Sequence, residues 1–403
     1  MFAALGYPAF RPFLVALVAS GIGTWMQMFA LGWLVVQLAA RQGNPQDAPV
    51  FLGLVGLARA VPALSLGLVG GAVADRLPRR SILMVTQTAA ACVSLLLATL
   101  IAIDHVTLWA TLSLAAASSA IWAFDIPTRQ SLLPSLVAER DLMSAVGLTA
   151  AASNATQILG PVLGGVVIVA TSLADVFSVV ALAFGFCVVL LLRVPTNAAV
   201  GGPRHSMARS VIEGLIFIRS NARIRWVLSL GAVVALLAWP YIFLLPAVAL
   251  NDLHGDASTL SFLMAATGCG ALVGSLSVAN SGRILLRGWL LVSLEALVGL
   301  SLITFALQSQ LVGALAAAFL IGAALVGFEG VANGVLQVAA PDRLRGRVLS
   351  ARSLILTGVM PAGQLVLGAA ASQVGSVDVV FLVSGAAVVL IAATFATQIR
   401  SAA

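Results

Sequence analysis

The sequence predicts an all-α membrane protein, with twelve transmembrane helices in two pseudo-symmetric six-helix bundles and both termini on the cytoplasmic side. Three observations lead there. Hydrophobic residues make up 61% of the 403-residue chain and charged residues only 9%, with a mean hydropathy of +1.10, whereas a soluble surface needs roughly 25% charged residues. The chain also divides into twelve apolar runs, at 12–39, 50–74, 82–103, 108–127, 143–171, 174–193, 226–250, 258–281, 289–307, 311–339, 349–373 and 376–399, each near the ~20 residues a helix needs to cross the hydrocarbon core. Finally, all 21 basic residues are Arg, and 19 of them stand at alternate ends of those runs, as the positive-inside rule requires of a chain that crosses a membrane twelve times.

Taken in order, each element is framed by that alternation. Arg11 precedes the first run, and no short apolar segment with a small-residue cleavage site stands before it, so the first span is expected to stay in the protein. Arg76, Arg79 and Arg80 follow the second run, Arg129 and Arg140 the fourth, Arg283 and Arg287 the eighth, Arg343 through Arg352 the tenth and Arg400 the twelfth. The opposite loops carry Asp47, Asp104, Asp252 and Asp256, and the tight turns on that side carry Asp175 and Asp378. Two arginines break the pattern: Arg41 lies in a loop on the Arg-poor side, and Arg59 lies inside the second run. The one long connection, 194–222, begins with Pro, Asn and Gly and then places Met207, Val211, Leu215 and Ile218 on one helical face and Arg209 and Glu213 on another. A surface helix along the cytoplasmic leaflet is expected there. The resulting organisation is an N-terminal bundle over 1–193, a linker over 194–222 and a C-terminal bundle over 223–403.

The composition excludes several function classes. A pI near 10.8 would suggest nucleic acid in a soluble domain, but the arginines sit beside span ends, where orientation and anionic membrane lipids account for them; no nucleic-acid partner is implied. Cys92, Cys187 and Cys269 lie far apart inside apolar runs and read as small core hydrophobes, without a disulfide framework or a metal site. His105, His205 and His254 occupy three separate loops, with no spacing for metal or acid–base work. Neither an enzyme nor a cofactor is implied.

The two halves echo each other. Leu163-Gly164 precedes Asp175-Val176-Phe177 in one, and Leu367-Gly368 precedes Asp378-Val379-Val380-Phe381 in the other; Glu139-Arg140-Asp141-Leu142 and Asp342-Arg343-Leu344 stand before these helix pairs. Parallel repetition of six-span halves is one way large transporters are built, with the substrate site near the midplane between them. After the second run comes Gly71-Ala72-Val73-Ala74-Asp75-Arg76-Leu77-Pro78-Arg79-Arg80, which resembles the signature G-x-x-x-D-R-x-G-R-R of the major facilitator superfamily at the position where that family carries it. Pro78 replaces a Gly. The residues singled out in this gating loop are Gly71, Asp75, Arg76, Arg79 and Arg80. In the fifth run Thr156-Gln157-Ile158-Leu159-Gly160-Pro161-Val162-Leu163-Gly164-Gly165 is similar to the antiporter signature of exporting members, with Thr156 in place of the first Gly. Pro161 removes a backbone hydrogen bond, while Gly160, Gly164 and Gly165 permit close helix packing. Phe124-Asp125-Ile126-Pro127-Thr128-Arg129-Gln130 and Val338-Ala339-Ala340-Pro341-Asp342-Arg343-Leu344-Arg345-Gly346-Arg347 resemble the branch with enterobactin exporters and macrolide-efflux-type proteins. That resemblance implies the superfamily fold, drug:proton antiport, and a bacterial cytoplasmic-membrane location. An acid expected early in the first span is absent; the stretch reads Gly23-Thr24-Trp25-Met26-Gln27.

Charges inside the hydrocarbon are the strongest functional pointers, because even lenient scales set an Arg or Asp at a helix centre at about 2.5–3.5 kcal/mol. Glu329 lies inside the tenth run, on a helix that lines the central cavity in the resembling family. It is read as a proton-coupling residue, with a fixed polar contact or a substrate ligand as the alternatives. Asp125 is assigned either to the gating network or to capping the end of the fourth span. Arg59 is assigned to a carboxylate partner, to an anionic substrate or to helix packing, and Glu295 to an ion pair near the interface with Arg287. Trp25, Gln27, Trp122, Trp239, Tyr241, Phe328, Asn333 and Gln337, with Asn154, Gln157 and Gln364 from neighbouring spans, sketch a cavity for a bulky, partly apolar ligand. The function expected is a monomeric, proton-coupled exporter of a drug-like or siderophore-like small molecule. The alternatives are a lipid or lysolipid transporter on the same fold, or a non-transporting sensor.

Overall fold

The computed structural model describes residues 3–74, 76–195, 217–280 and 288–401. Among them there is no β-strand, and twelve helical segments are long and apolar enough to cross a membrane. The α-helices are α1 (Phe10–Arg41), α2 (Ala48–Ala74), α3 (Arg79–Ala102), α4 (Leu108–Leu132), α5 (Leu142–Ala170), α6 (Leu173–Leu191), α7 (Ala222–Leu237), α8 (Tyr241–Ala247), α9 (Ala257–Asn280), α10 (Gly288–Ala306), α11 (Leu311–Ala339), α12 (Asp342–Val374) and α13 (Val377–Ser401). The seventh span is made of two pieces: α7 and α8, the latter continuing into a π-turn at Val248–Asp252. The surface helix expected within 194–222 falls largely outside the described residues, as does Asp75.

Span boundaries follow from local chemistry. The first amides of a helix have no intrahelical acceptor, and Ser, Thr or Asn just before the helix supplies one. Thr107 accepts from the Ala110 amide at the start of α4, Ser172 from Asp175 at α6, and Asn221 from Ile224 at α7. The turn between α12 and α13 needs a left-handed residue; Gly375 takes it at φ +75°, and its amide closes onto the Ala371 carbonyl at 2.8 Å. Ser376, next in line, receives the Val379 amide.

The chain forms two compact units, Met1–Leu38 with Leu57–Gly202, and Ala39–Gly56 with Pro203–Ala403. In the first, the Tyr7 hydroxyl donates to Asp141 at 2.7 Å and pins the N-terminal turn to the start of α5. In the second, the opening turns of α2 pack on α12: the Val50 amide donates to the Ser372 hydroxyl at 3.1 Å, and the Gln364 amide donates to the Leu52 carbonyl at 3.1 Å. The early turns of α2 thus group with α12, which a linear reading of the chain does not anticipate.

The internal repeat is visible in the packing within each unit. α3 lies against α6 and α4, and α10 against α13 and α11. In lipid, small residues rather than hydrophobicity let such helices approach. At the α10–α13 seam a Cβ on Gly299 would come 2.6 Å from the Gly385 carbonyl, and one on Gly385 would come 2.6 Å from the Gly299 carbonyl. The two backbones touch there. Gly299→Leu is therefore expected to destabilise the protein by about 1–3 kcal/mol, the usual penalty of overpacking. The measurement is the apparent Tm in detergent, with Gly185→Ala, whose new methyl would meet nothing within 4 Å, as a neutral control.

Candidate functional site

Glu329 sits in the interior of α11, and the structure gives its carboxylate two partners from other elements. Arg352 of α12 forms an ion pair with Oε2 through Nη2, and the same nitrogen lies 3.5 Å from the Glu329 carbonyl. The Trp239 indole N–H donates to Oε1 at 3.4 Å. The pair is mostly but not wholly enclosed, with side-chain exposures of 14% for Glu329 and 22% for Arg352. Beside it lies a cavity of about 10 Å³ bordered by Val227, Leu228 and Gly231 of α7 and by Ile355 and Leu356 of α12. That is room for about one water molecule. The Arg partner escaped the sequence reading because Arg352 was counted with the basic loop before the eleventh span. Its signal was nonetheless there: it lies inside the apolar run 349–373.

The other unit holds a second acid–Arg pair. Asp125 of α4 is 3% exposed. Its Oδ1 accepts from the Thr86 hydroxyl and the Gln87 amide of α3, both at 2.8 Å, and its Oδ2 pairs with Arg129 one helical turn on. Cys187 of α6 is buried in the hydrophobic cluster with Phe10, Phe13 and Leu191, as a small core residue. Asp125 and Glu329 are 204 residues apart, the same offset that separates Gly164 from Gly368 and the capping Ser172 from Ser376. The two acids occupy equivalent points of the repeat.

The remaining candidates separate by environment. The backbone of Arg59 accepts from the Ser119 hydroxyl at 2.6 Å, while its half-buried guanidinium has no partner among the described residues. Glu295 is fully buried, and both its carboxylate oxygens lack a hydrogen-bond partner. Arg287, the partner expected for it, lies outside the described residues. Gly71 lies in the last turn of α2; Arg76 is exposed, Arg79 and Arg80 open α3, and the Nε of Arg79 is buried without a partner. In α5, Gly160 lies against Trp25 of α1, a Cβ on Gly164 would meet the Phe29 ring at 2.8 Å, and Gly165 is buried next to it. Pro161 lies inside α5 between these contacts.

Of the residues sketched as a cavity, Trp25, Gln27, Trp122, Asn154, Gln157, Trp239 and Asn333 are half-buried and Gln337 is exposed. Gln27 donates to Ser118 of α4 at 3.3 Å. Two residues, Tyr241 and Gln364, take packing roles in the structure. Tyr241 is fully buried, lies 3.3 Å from the Thr267 hydroxyl and stacks edge-on against Phe305 at 5.0 Å. Gln364 is buried with its amide committed to Leu52, whereas Phe328, though fully buried, lines the small cavity beside Glu329. Among the described residues no group of three or more His, Cys, Asp or Glu side chains could hold a metal.

An ion pair that loses one member leaves the other desolvated and uncompensated. Arg352→Met is therefore expected to destabilise the protein by about 1–3 kcal/mol. The double variant Arg352→Met with Glu329→Gln should recover most of that loss, as read in thermal unfolding in detergent.

Comparison with known proteins agrees with this geometry. A family model described as transmembrane secretion effector matches residues 1–402. The multidrug efflux pump Tap of Mycolicibacterium fortuitum is 25% identical over 372 residues, covering 90% of this chain and 89% of that protein. The staphyloferrin A transporter of Staphylococcus aureus is 23% identical over 63% of each chain. Among solved structures, the nucleoside transporter NupG (D323A mutant) superposes with a TM-score of 0.76 at 14% identity, over 96% of this chain and 99% of that one, which concerns the fold alone. Twelve apolar helices and efflux relatives place the protein in the bacterial inner membrane as a multi-pass transporter. The chain belongs to the transmembrane secretion effector family of the major facilitator superfamily, an efflux transporter of small molecules.

Proposed function

We propose that the protein is a proton-coupled antiporter that exports a bulky, partly apolar small molecule by alternating access, with Glu329 as the residue that exchanges the proton. The observation that carries this reading is the Glu329–Arg352 ion pair inside two apolar helices, with room for about one water molecule beside it. A charge in that setting is retained only when it has a partner or a purpose. Unprotonated, the carboxylate holds Arg352 and the Trp239 indole. A proton cancels the charge, removes the main attraction across α11 and α12, and frees both partners to rearrange. Return of the carboxylate to Arg352 releases the proton on the other side. The outward direction follows the relatives, a multidrug efflux pump and a macrolide efflux protein.

Asp125 takes a different part in this scheme. Its four contacts from Thr86, Gln87 and Arg129 fix α4 to α3, a support for the gating loop formed by Gly71, Asp75, Arg76, Arg79 and Arg80. The glycine face of α5 against α1 gives two helices of one bundle a smooth surface along which to slide. The relatives' names point to drugs and siderophores as the substrate classes.

The test is substrate-driven collapse of a proton gradient in proteoliposomes, across a panel of cationic drugs, macrolides, siderophores and lysolipids. Glu329→Gln is expected to reduce proton-linked transport to background while the protein remains in the membrane and keeps its substrate affinity. Full proton-linked transport by that variant would remove Glu329 from the mechanism. A response confined to lysolipids would replace the drug or siderophore reading.

A further inference from the structure

The seventh span is broken beside the carboxylate, and the cause is local. Pro240 has no amide proton and its ring excludes the carbonyl four residues earlier, that of Leu236. α7 therefore ends at Leu237, and the Ala238 and Trp239 amides both turn back to the Val234 carbonyl, at 2.9 and 3.0 Å. The freed Leu236 carbonyl faces Gly363 of α12 so closely that a Cβ at 363 would overlap it. Two different supports hold the two pieces. On one side of the break Tyr241 fixes α8 to α9, α10 and α13 through Thr267, Phe305 and Phe381. On the other, α7 presents Val227, Leu228 and Gly231 to the small cavity. Among the described residues, the Trp239–Glu329 hydrogen bond is the one polar side-chain tie between 226–240 and the neighbouring helices.

We propose that Trp239 is the positioning residue that transmits the charge state of Glu329 to the break in the seventh span, so that α7 swings about 238–240 while α8 stays fixed. This rests on Glu329 as the proton-exchanging residue. A hydrogen bond to a charged acceptor is roughly twice as strong as one to a neutral acceptor, so neutralising Glu329 weakens the tie at the hinge itself. The surroundings contain little else to respond. Arg352 is the facing charge from α12, α7 offers apolar side chains, and α9 carries no charged residue over Ala257–Val278. Glu295 of α10 makes no hydrogen bond. Apolar contacts around α7 and the adjacent cavity allow the motion, and the Tyr241 cluster confines it to one side of the break.

The experiment uses spin-label pairs in the full chain in nanodiscs, with the exposed Cys92 and Cys269 replaced and the buried Cys187 kept. Ser229→Cys with Ser277→Cys reports α7 against α9; Leu250→Cys with Ser277→Cys reports the π-turn that continues α8. Glu329→Gln is expected to shift the first distance distribution and leave the second in place. Trp239→Phe, which keeps the ring and removes the N–H, is expected to give the same shift with Glu329 intact, and the double variant no further shift. In transport, Trp239→Phe should lower the maximal rate about tenfold, as loss of a hydrogen bond to a charged group would, with substrate KM unchanged. If both distances move together, or if Trp239→Phe behaves as wild type in both readouts, the hinge role is overturned. If Glu329→Gln still transports with its proton, the proton-exchange reading falls instead; if that variant is uncoupled but α7 does not move, only the role of Trp239 falls.

Discussion

A charge placed in hydrocarbon must find a counter-charge or a hydrogen-bond donor, because neither water nor lipid is there to solvate it. That constraint organises both bundles. Glu329 draws Arg352 inward from what would otherwise be the end of a basic loop, and Asp125 draws Arg129, Thr86 and Gln87 around itself. Arg59 lacks a counter-charge among the described residues and sits at a half-buried position, where its backbone carbonyl accepts from Ser119. Glu295 is the exception, buried without a donor, and stands outside the pairing logic that governs the other acids.

The repeat makes the difference between the two acid–Arg pairs informative. Equivalent positions, 204 residues apart, carry carboxylates on α4 and α11, yet their surroundings differ in kind. Asp125 is gripped by three side chains on two helices, one of them its own, so its partners form a closed set. Glu329 is held from α12 and from the turn that interrupts the seventh span, two separate elements. A saturated set of hydrogen bonds rigidifies. An ion pair bridging separate helices beside a break leaves two arrangements within reach.

Much of the fold was legible in the sequence. Hydropathy fixed the number of spans and the arginines fixed the expected side of each loop, whereas the caps at Thr107, Ser172 and Asn221 emerge only from the structure. The glycines of α5 read correctly as a packing face against a neighbour. The cavity residues were less legible. Tyr241 and Gln364 look like ligand-binding side chains by type, but residue type does not say which side of a helix faces a neighbour, and both are consumed by packing. Arg352 failed in the opposite sense, since a charge near a span end is normally a topological signal and here is a structural partner.

By itself, then, the sequence determined the class of solvent this chain folds in, the count and approximate limits of its helices, and which acids lie within them, because those properties depend on composition and on spacing along one chain. Only the tertiary structure decided that Glu329 meets Arg352 and Trp239, that Asp125 is tied to α3, and that the opening turns of α2 group with α12. Such pairings join residues tens to hundreds of positions apart, and they are set by which helix faces pack closely enough to touch, a quantity that no local pattern encodes.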